Sequence, residues 1–338
     1  MKVAISCDHI LERKPVHRLV ELASSMYPDA TVFTLAHRQG QVLGPLEMHP
    51  IRSSFLSSVV KTEHELRKKL YLVPFAAKKL IIPCSFDLII NFSTGLSHGI
   101  SHCEKTSVLN YFFSDDLELS SESLSEKIFR SYLKSWAKKM RKNHSHKIQS
   151  HDGLFTGLKV VRPFFNFEDF YFQEELSICD LALINPGDFS DTELKTVCES
   201  FISKNNRVLI LGEKRNLDLE VEYIKNTCSG ELVPLFEKAQ YIIDGNKMSF
   251  PEFSLSCYAS GRNVWVWRSG IAENYLGREL PRYFENVDWL LENVANDHDS
   301  TDTRRLYRNC AAKYSQLLFK AGLMRNLKDM GFPYRPKK

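Results

Sequence analysis

The segment from Phe86 to Asp116 constrains the fold of this chain more than any other. An apolar run, Leu88-Ile89-Ile90, leads into a small polar turn, Asn91-Phe92-Ser93-Thr94-Gly95, and then His98-Gly99. A second apolar run, Ser107 to Phe113, follows. Strand, glycine-bearing turn and strand again is how an open α/β sheet builds a crevice at the carboxyl ends of its strands, where ligands bind.

The rest of the chain extends this pattern. Lys2–Ser6 reads as a buried strand, and Val16–Met26 as a helix whose Val16, Leu19, Val20, Leu22, Ala23 and Met26 share one face. Pro28-Asp29 ends that helix, and Ala30–Leu35 is a second strand. This β-α-β start predicts a parallel sheet with right-handed crossovers. Arg52–Leu80 is expected to be helical, with basic residues at Lys61, Arg67–Lys69 and Lys78-Lys79, and Glu126–Lys142 to be a strongly basic helix. Composition shifts to His, Ser, Asp and Gly around Asn143–Gly157, which suits an interdomain linker. Beyond it, Leu158–Arg162, Leu181–Asn185, Arg207–Leu211, Leu232–Leu235, Tyr241–Ile243 and Asn263–Trp267 read as strands. Thr192–Lys204, Leu219–Thr227 and Glu252–Gly261 read as helices. The expected architecture is α/β: two Rossmann-like, doubly wound parallel-sheet domains facing a cleft.

A chain of 338 residues suits two domains of about 150 each. We place them at 1–148 and 158–315, with 316–338 a C-terminal helix and basic tail packing back on the first domain. The net charge of +4 arises from 45 basic and 41 acidic residues, a balance that does not call for nucleic acid. Eight cysteines are scattered without a C-x-x-C pair, which predicts free thiols in a reducing compartment. The first apolar run stops at Cys7-Asp8-His9, too soon for a signal peptide, and no run approaches the ~20 residues of a membrane span. A cytoplasmic protein is expected. His98, His102-Cys103, His144, His146 and His151 lack the spacing of a metal site and read as solvated loop residues; no metal is expected.

Taken in order, these pieces resemble the family-4-type GT-B glycosyltransferases over residues 1 to about 270. Tyr27-Pro28-Asp29-Ala30 with Val32–Leu35 is similar to that family's F-P-D-A-x-I-Y-T-L, and Arg52–Leu56 to its x-T-S-F-L. Phe86–Ser93 matches Y-D-L-V-I-S-S-S, and Asn110–Asp115 stands where the family has C-Y-x-H-T-P. Val160–Pro163 resembles its V-I-x-P-P linker, Val208–Gly212 its L-V-I-V-G, and Ala259–Val264 its A-A-G-R-P-V. The resemblance implies transfer of a sugar from a UDP- or GDP-linked donor to a polysaccharide or lipid-linked acceptor, without a further cofactor. In that reading Gly212, Lys214, Arg215 and Arg262 hold the donor phosphates. Asp244 or Glu252 touches the sugar, and Ser93, Thr94, Gly95 and His98 face the acceptor.

The chain departs from the family at each functional position. Phe113 replaces a cleft histidine, and Arg13-Lys14-Pro15-Val16 replaces a glycine loop, where proline removes a backbone donor. Asn185–Asp191 brings two acids where the family holds diphosphate with Arg and Lys. Met248 and Ser256 stand at the family's paired glutamates, E-x7-E; Asp244 and Glu252 repeat that spacing one helical turn earlier. Bland readings stand beside the sharp ones: Gly212–Arg215 as an exposed turn, Arg262 as a helix cap. The basic residues Lys134, Lys138, Arg141 and Lys142 form either a solvated helix face or a contact with an anionic membrane. Two functions follow: an active transferase, or a glycosyltransferase-derived pseudoenzyme that partners or regulates an envelope- or polysaccharide-building enzyme.

Overall fold

The computed structural model describes residues 1–42, 44–114, 124–142, 146–172, 174–225, 228–294 and 300–334, with only the backbone described at 124–128 and 130. Asp115, Asp116, His144 and the tail 335–338 lie outside the described residues. The chain divides into two compact units, Met1–Pro163 with Phe319–Lys338, and Phe164–Leu318.

The first unit runs β1 (Val3–Ile10), α1 (Pro15–Met26), β2 (Thr31–His37), β3 (Ile51–Ser53), α2 (Leu56–Val59), α3 (Glu63–Lys68), α4 (Val73–Lys79), β4 (Ile81–Ile82), β5 (Leu88–Ser93), β6 (Ser101–His102), β7 (Ser107–Phe112), α5 (Leu124–Lys142), β8 (His146–Gln149) and β9 (Lys159–Val160). Its seven-stranded sheet has the order β3-β2-β1-β5-β7-β8-β9, and every described pairing in it is parallel. All eight residues of β1 are buried, as a central parallel strand covered on both faces requires.

Three expectations are corrected here. Arg52–Leu80 is not one helix. Thr62 accepts a bond from the Glu65 N–H at 3.2 Å and starts α3 afresh, while Pro74 in the first turn of α4 has no N–H with which to continue an earlier helix. The strand expected over 158–162 is the last strand of the first sheet, with Ile148 opposite Lys159. The cysteines are not all free: Cys84 and Cys103 form a disulfide. They follow β4 and β6, which pair with Ile82 opposite His102 and so bring two distant thiols together.

The second unit runs β10 (Cys179–Asn185), α6 (Asp191–Ser203), β11 (Arg207–Leu211), β12 (Glu222–Ile224), α7 (Ser229–Lys238), β13 (Ala239–Asp244), α8 (Glu252–Ala259), β14 (Trp265–Trp267), α9 (Gly270–Leu276), β15 (Arg282–Phe284), α10 (Val287–Asn293) and α11 (Thr301–Ala312). The sheet order is β12-β11-β10-β13-β14-β15, again parallel. Residues 219–227 do not form the expected helix, because β12 supplies the partner that β11 needs, with Leu209 opposite Glu222. Leu232–Leu235 is helical, not a strand. Glu231 accepts the Cys228 N–H at 3.0 Å, a cap that starts α7 just ahead of that apolar run.

From Phe319 onward, α12 (Gln316–Asp329) belongs to the first unit. Phe319 packs edge-on against Tyr111 at 5.6 Å, and Tyr111 donates its hydroxyl to the Val161 carbonyl at 2.8 Å. Phe319 is fully buried, whereas Leu317 is 73% exposed. Phe319→Ala is therefore expected to cost about 3–5 kcal/mol in a denaturant titration. Leu317→Ala, two residues away, is expected to stay within about 0.5 kcal/mol of the native chain.

Candidate functional site

In a doubly wound sheet the chain reverses its direction of winding beside the first strand, and the loops on either side diverge to leave a crevice. In the second unit that point lies between β10 and β13. Both loops are present, and they are bonded to each other. The Gly245 N–H donates to the Asn185 carbonyl at 2.9 Å and the Asp188 N–H to the Gly245 carbonyl at 3.0 Å. Asp188 Oδ2 accepts the backbone N–H of Lys247 at 2.6 Å and of Met248 at 3.2 Å. A Cβ at Gly187 would lie 2.5 Å from the Asn246 nitrogen, so only glycine lets the loops approach this closely. Backbone N–H groups at a strand end are the donors a ligand phosphate uses, and here a carboxylate of the same chain takes them.

The expected donor-side residues fall into two groups. Gly212 follows β11 at the carboxyl end of the sheet, with φ +110°, and Lys214 beside it is exposed. Arg215 reaches back across the closed loop, donating to the Phe189 carbonyl at 2.6 Å and the Gly187 carbonyl at 3.3 Å, with Asp191 at 3.4 Å. Arg262 does not join them. It precedes β14 at the amino end of the sheet, and its buried guanidinium donates to the carbonyls of Phe236 (2.5 Å), Glu237 (3.1 Å) and Ala239 (2.5 Å). Those are the open carbonyls at the end of α7, so Arg262 caps that helix.

Asp244, the last residue of β13, is fully buried and accepts from Ser254 Oγ at 2.5 Å, Asn185 Nδ2 at 2.9 Å and the Asn246 N–H at 3.2 Å. Burial pushes its carboxyl up to about 6 against the pull of those bonds. Glu252 opens α8, and its N–H donates to the Phe250 carbonyl at 2.8 Å. Of the positions that match the family's glutamates, Met248 is partly exposed and Ser256 is buried, its hydroxyl donating to the Glu252 carbonyl at 2.8 Å.

The first unit repeats the arrangement between β1 and β5. Asp8 is buried, and its two oxygens accept the Thr94 hydroxyl at 2.8 Å, the Leu96 N–H at 2.9 Å and the Ser97 N–H at 2.7 Å. The expected acceptor-side residues are thereby turned inward. His98 is buried with Nε2 2.9 Å from the Ala137 carbonyl, which requires the proton on that nitrogen. Nδ1 then accepts the Ser93 hydroxyl at 3.1 Å, while Ser93 Oγ receives the Gly95 N–H at 3.1 Å. Trp136 stacks on the imidazole. Asp8 was not foreseen as a site residue, although a carboxylate inside an apolar strand was the available signal.

A second polar cluster follows β1. Glu63 pairs with His9 Nε2 and, at 3.1 Å, with Lys14 Nζ. Burial alone would raise Glu63, but the bond and charge of His9 and the charge of Lys14 outweigh it and hold the carboxyl at about 2. His17 donates Nε2–H to the His9 carbonyl at 2.9 Å and accepts the Lys14 N–H on Nδ1 at 3.1 Å. Burial lowers it to about 4.

No family model and no curated protein sequence matches the chain. Solved structures do. Sucrose-phosphate synthase from Thermosynechococcus elongatus superposes with a TM-score of 0.68 at 11% identity, over 98% of this chain and 99% of that one. Anabaena HepE, in complex with UDP and glucose, gives 0.62 at 11% identity, over 97% and 100%. The lipopolysaccharide outer core galactosyltransferase WaaB gives 0.57 at 8%, over 98% and 100%. The fold is that of the GT-B glycosyltransferases; at such identities the likeness defines the fold, and the chemistry rests on the residues above.

The two shifted groups set an acid response. An acid held at about 2 stabilises the fold above its ordinary 4.5, and that contribution is lost as pH falls from 4.5 to 2. A histidine held at about 4 favours the unfolded chain as pH falls from 6.5 to 4, because the unfolded form takes up the proton first. The urea midpoint is expected to decline through the lower window. In the upper one Asp244, raised from 3.8 to about 6, gains stability as pH falls from 6 to 3.8 and opposes the loss from His17. Glu63→Gln should flatten the lower decline, and His17→Gln should leave a midpoint that rises as pH falls through the upper window.

Proposed function

We propose that this chain is a GT-B-fold protein that does not turn over a nucleotide-sugar in the conformation described, a pseudoenzyme serving as a partner or regulator in glycan assembly. The observation that carries the reading is the Asp188 carboxylate on the Lys247 and Met248 N–H groups. A diphosphate entering there would have to displace one anion and then sit beside it. At about 4 Å and an effective dielectric near 20, like charges repel by about 4 kcal/mol. A micromolar donor affinity is about −8 kcal/mol, so the penalty removes roughly half of it. Two of the three cations expected to offset such charge are otherwise engaged, Arg262 in capping α7 and Arg215 in tying down the loop, which leaves the exposed Lys214. HepE was solved with UDP-glucose, and a transferase reading of this chain would require the same ligand class at this crevice.

Calorimetric titration of the native chain with UDP, GDP and UDP-glucose is expected to give no saturable heat up to about millimolar ligand, the regime weaker than about −4 kcal/mol. Saturable micromolar binding would overturn the reading and restore the active transferase. Lys214→Ala would then be the variant that tests phosphate contact.

A further inference from the structure

We propose that the surface formed by α2, α4 and the first turns of α5 docks on an anionic lipid surface, with aromatic side chains entering the headgroup layer and lysines meeting lipid phosphates. This goes beyond the state of the donor crevice and does not depend on it. Five of the seven large aromatic side chains exposed among the described residues lie here: Phe55, Tyr71, Phe75, Phe129 and Tyr132. They form one patch. Phe55 meets Phe75 at 5.5 Å, Tyr71 meets Phe129 at 6.0 Å, Tyr71 and Phe75 are four residues apart, and Phe129 and Tyr132 three. Rings left in water on this scale mark an interaction surface, and aromatic residues with an apolar body favour the membrane interface.

The charge over residues 61–79 is predominantly basic. Residues 61–79 carry six basic side chains and two acidic ones. Of the two acids, Glu63 is paired to His9 and Lys14, and Glu65 accepts the Lys61 N–H at 2.7 Å. Lys79 sits 5.5 Å from the centre of the Phe75 ring, and Lys139 follows Tyr132 by seven residues, on the same flank of α5. The sequence pointed instead to Lys134, Lys138, Arg141 and Lys142. Arg141 is turned inward over Phe155 at 3.8 Å, and Lys134 and Lys138 lie on the opposite flank of the helix from Tyr132. Nucleic acid is the less suited occupant. Base stacking needs free ring faces, whereas Phe55 and Phe75 pack edge to face and Lys79 lies over Phe75. No helix among the described residues is long and apolar enough to cross a membrane.

The test is co-sedimentation of the full chain with phosphatidylglycerol–phosphatidylcholine vesicles and with pure phosphatidylcholine vesicles. Binding to the anionic vesicles, weakened by salt and much lower on phosphatidylcholine, is expected. Phe75→Ser with Phe129→Ser should lower the partition by about tenfold or more with an unchanged melting temperature, since both rings are exposed. Lys78→Glu with Lys79→Glu should remove the preference for anionic lipid, and Trp289→Ser, an exposed ring of the other unit, should change nothing. Absence of binding to either vesicle, binding unaffected by the two ring substitutions, or nucleic acid outcompeting the vesicles would each overturn the proposal.

Discussion

The structure is organised around a carboxylate placed where this kind of sheet ordinarily receives a ligand. Asp8 lies on the first strand of the first unit and accepts two consecutive backbone N–H groups, Leu96 and Ser97, from the segment after β5. Asp188 follows the first strand of the second unit and accepts two consecutive N–H groups, Lys247 and Met248, from the segment after β13. Each pair of strands flanks the point where its sheet changes winding direction. The Leu96 and Ser97 N–H groups, which are buried, need an acceptor in any state of the protein, because a buried donor left without one costs about 1–3 kcal/mol; the bonds of the exposed Asp188 to Lys247 and Met248 lie at the surface. A bound phosphate would satisfy such groups; in this structure a carboxylate of the same chain does so, buried at Asp8 and exposed at Asp188.

Much else follows from that choice. With Asp188 drawn onto the loop after β13, residues 186–189 lie close against 245–248, and Gly187 and Gly245 are the residues that permit the approach. Arg215 then donates to the carbonyls of that loop and pairs with Asp191. With Asp8 drawn onto the turn after β5, Thr94 points inward, and Ser93 and His98 satisfy one another under Trp136. The strand ends where a doubly wound sheet ordinarily receives a ligand are therefore met here by side chains of the chain itself. Fold and chemistry are separable, because core packing and site residues answer to different constraints.

The fold was legible in the sequence because apolar runs of strand length alternate with helical periodicity over most of the chain, and that alternation admits few architectures. It was least legible where a segment's pattern suits two structures. Glu222-Tyr223-Ile224 is edge strand only because β11 lies open beside it, and Leu232–Leu235 is helix because of a cap at Cys228, just upstream. The candidate site was legible as a list of residue types and not as a geometry. Arg262 lies beside a glycine in a familiar-looking segment, yet nothing in that segment says which end of the sheet it occupies. Asp8 and Asp188 act through partners 86 to 89 and 59 to 60 residues away, separations that no local motif encodes. The Cys84–Cys103 bridge was hidden for the same reason, since only the pairing of two short strands brings the thiols together.

Residue-resolved amide hydrogen exchange on the ligand-free chain, with and without UDP, tests this account most directly. The account predicts that Leu96, Ser97, Lys247 and Met248, all outside regular strands, are protected in the free protein, the buried Leu96 and Ser97 more strongly than Lys247 and Met248. It predicts that UDP leaves them unchanged and that Asp188→Ala releases Lys247 and Met248 while Leu96 and Ser97 stay slow. Rapid exchange at Lys247 and Met248 in the free chain, slowed on adding UDP, would show an open crevice awaiting its nucleotide and would contradict the central claim.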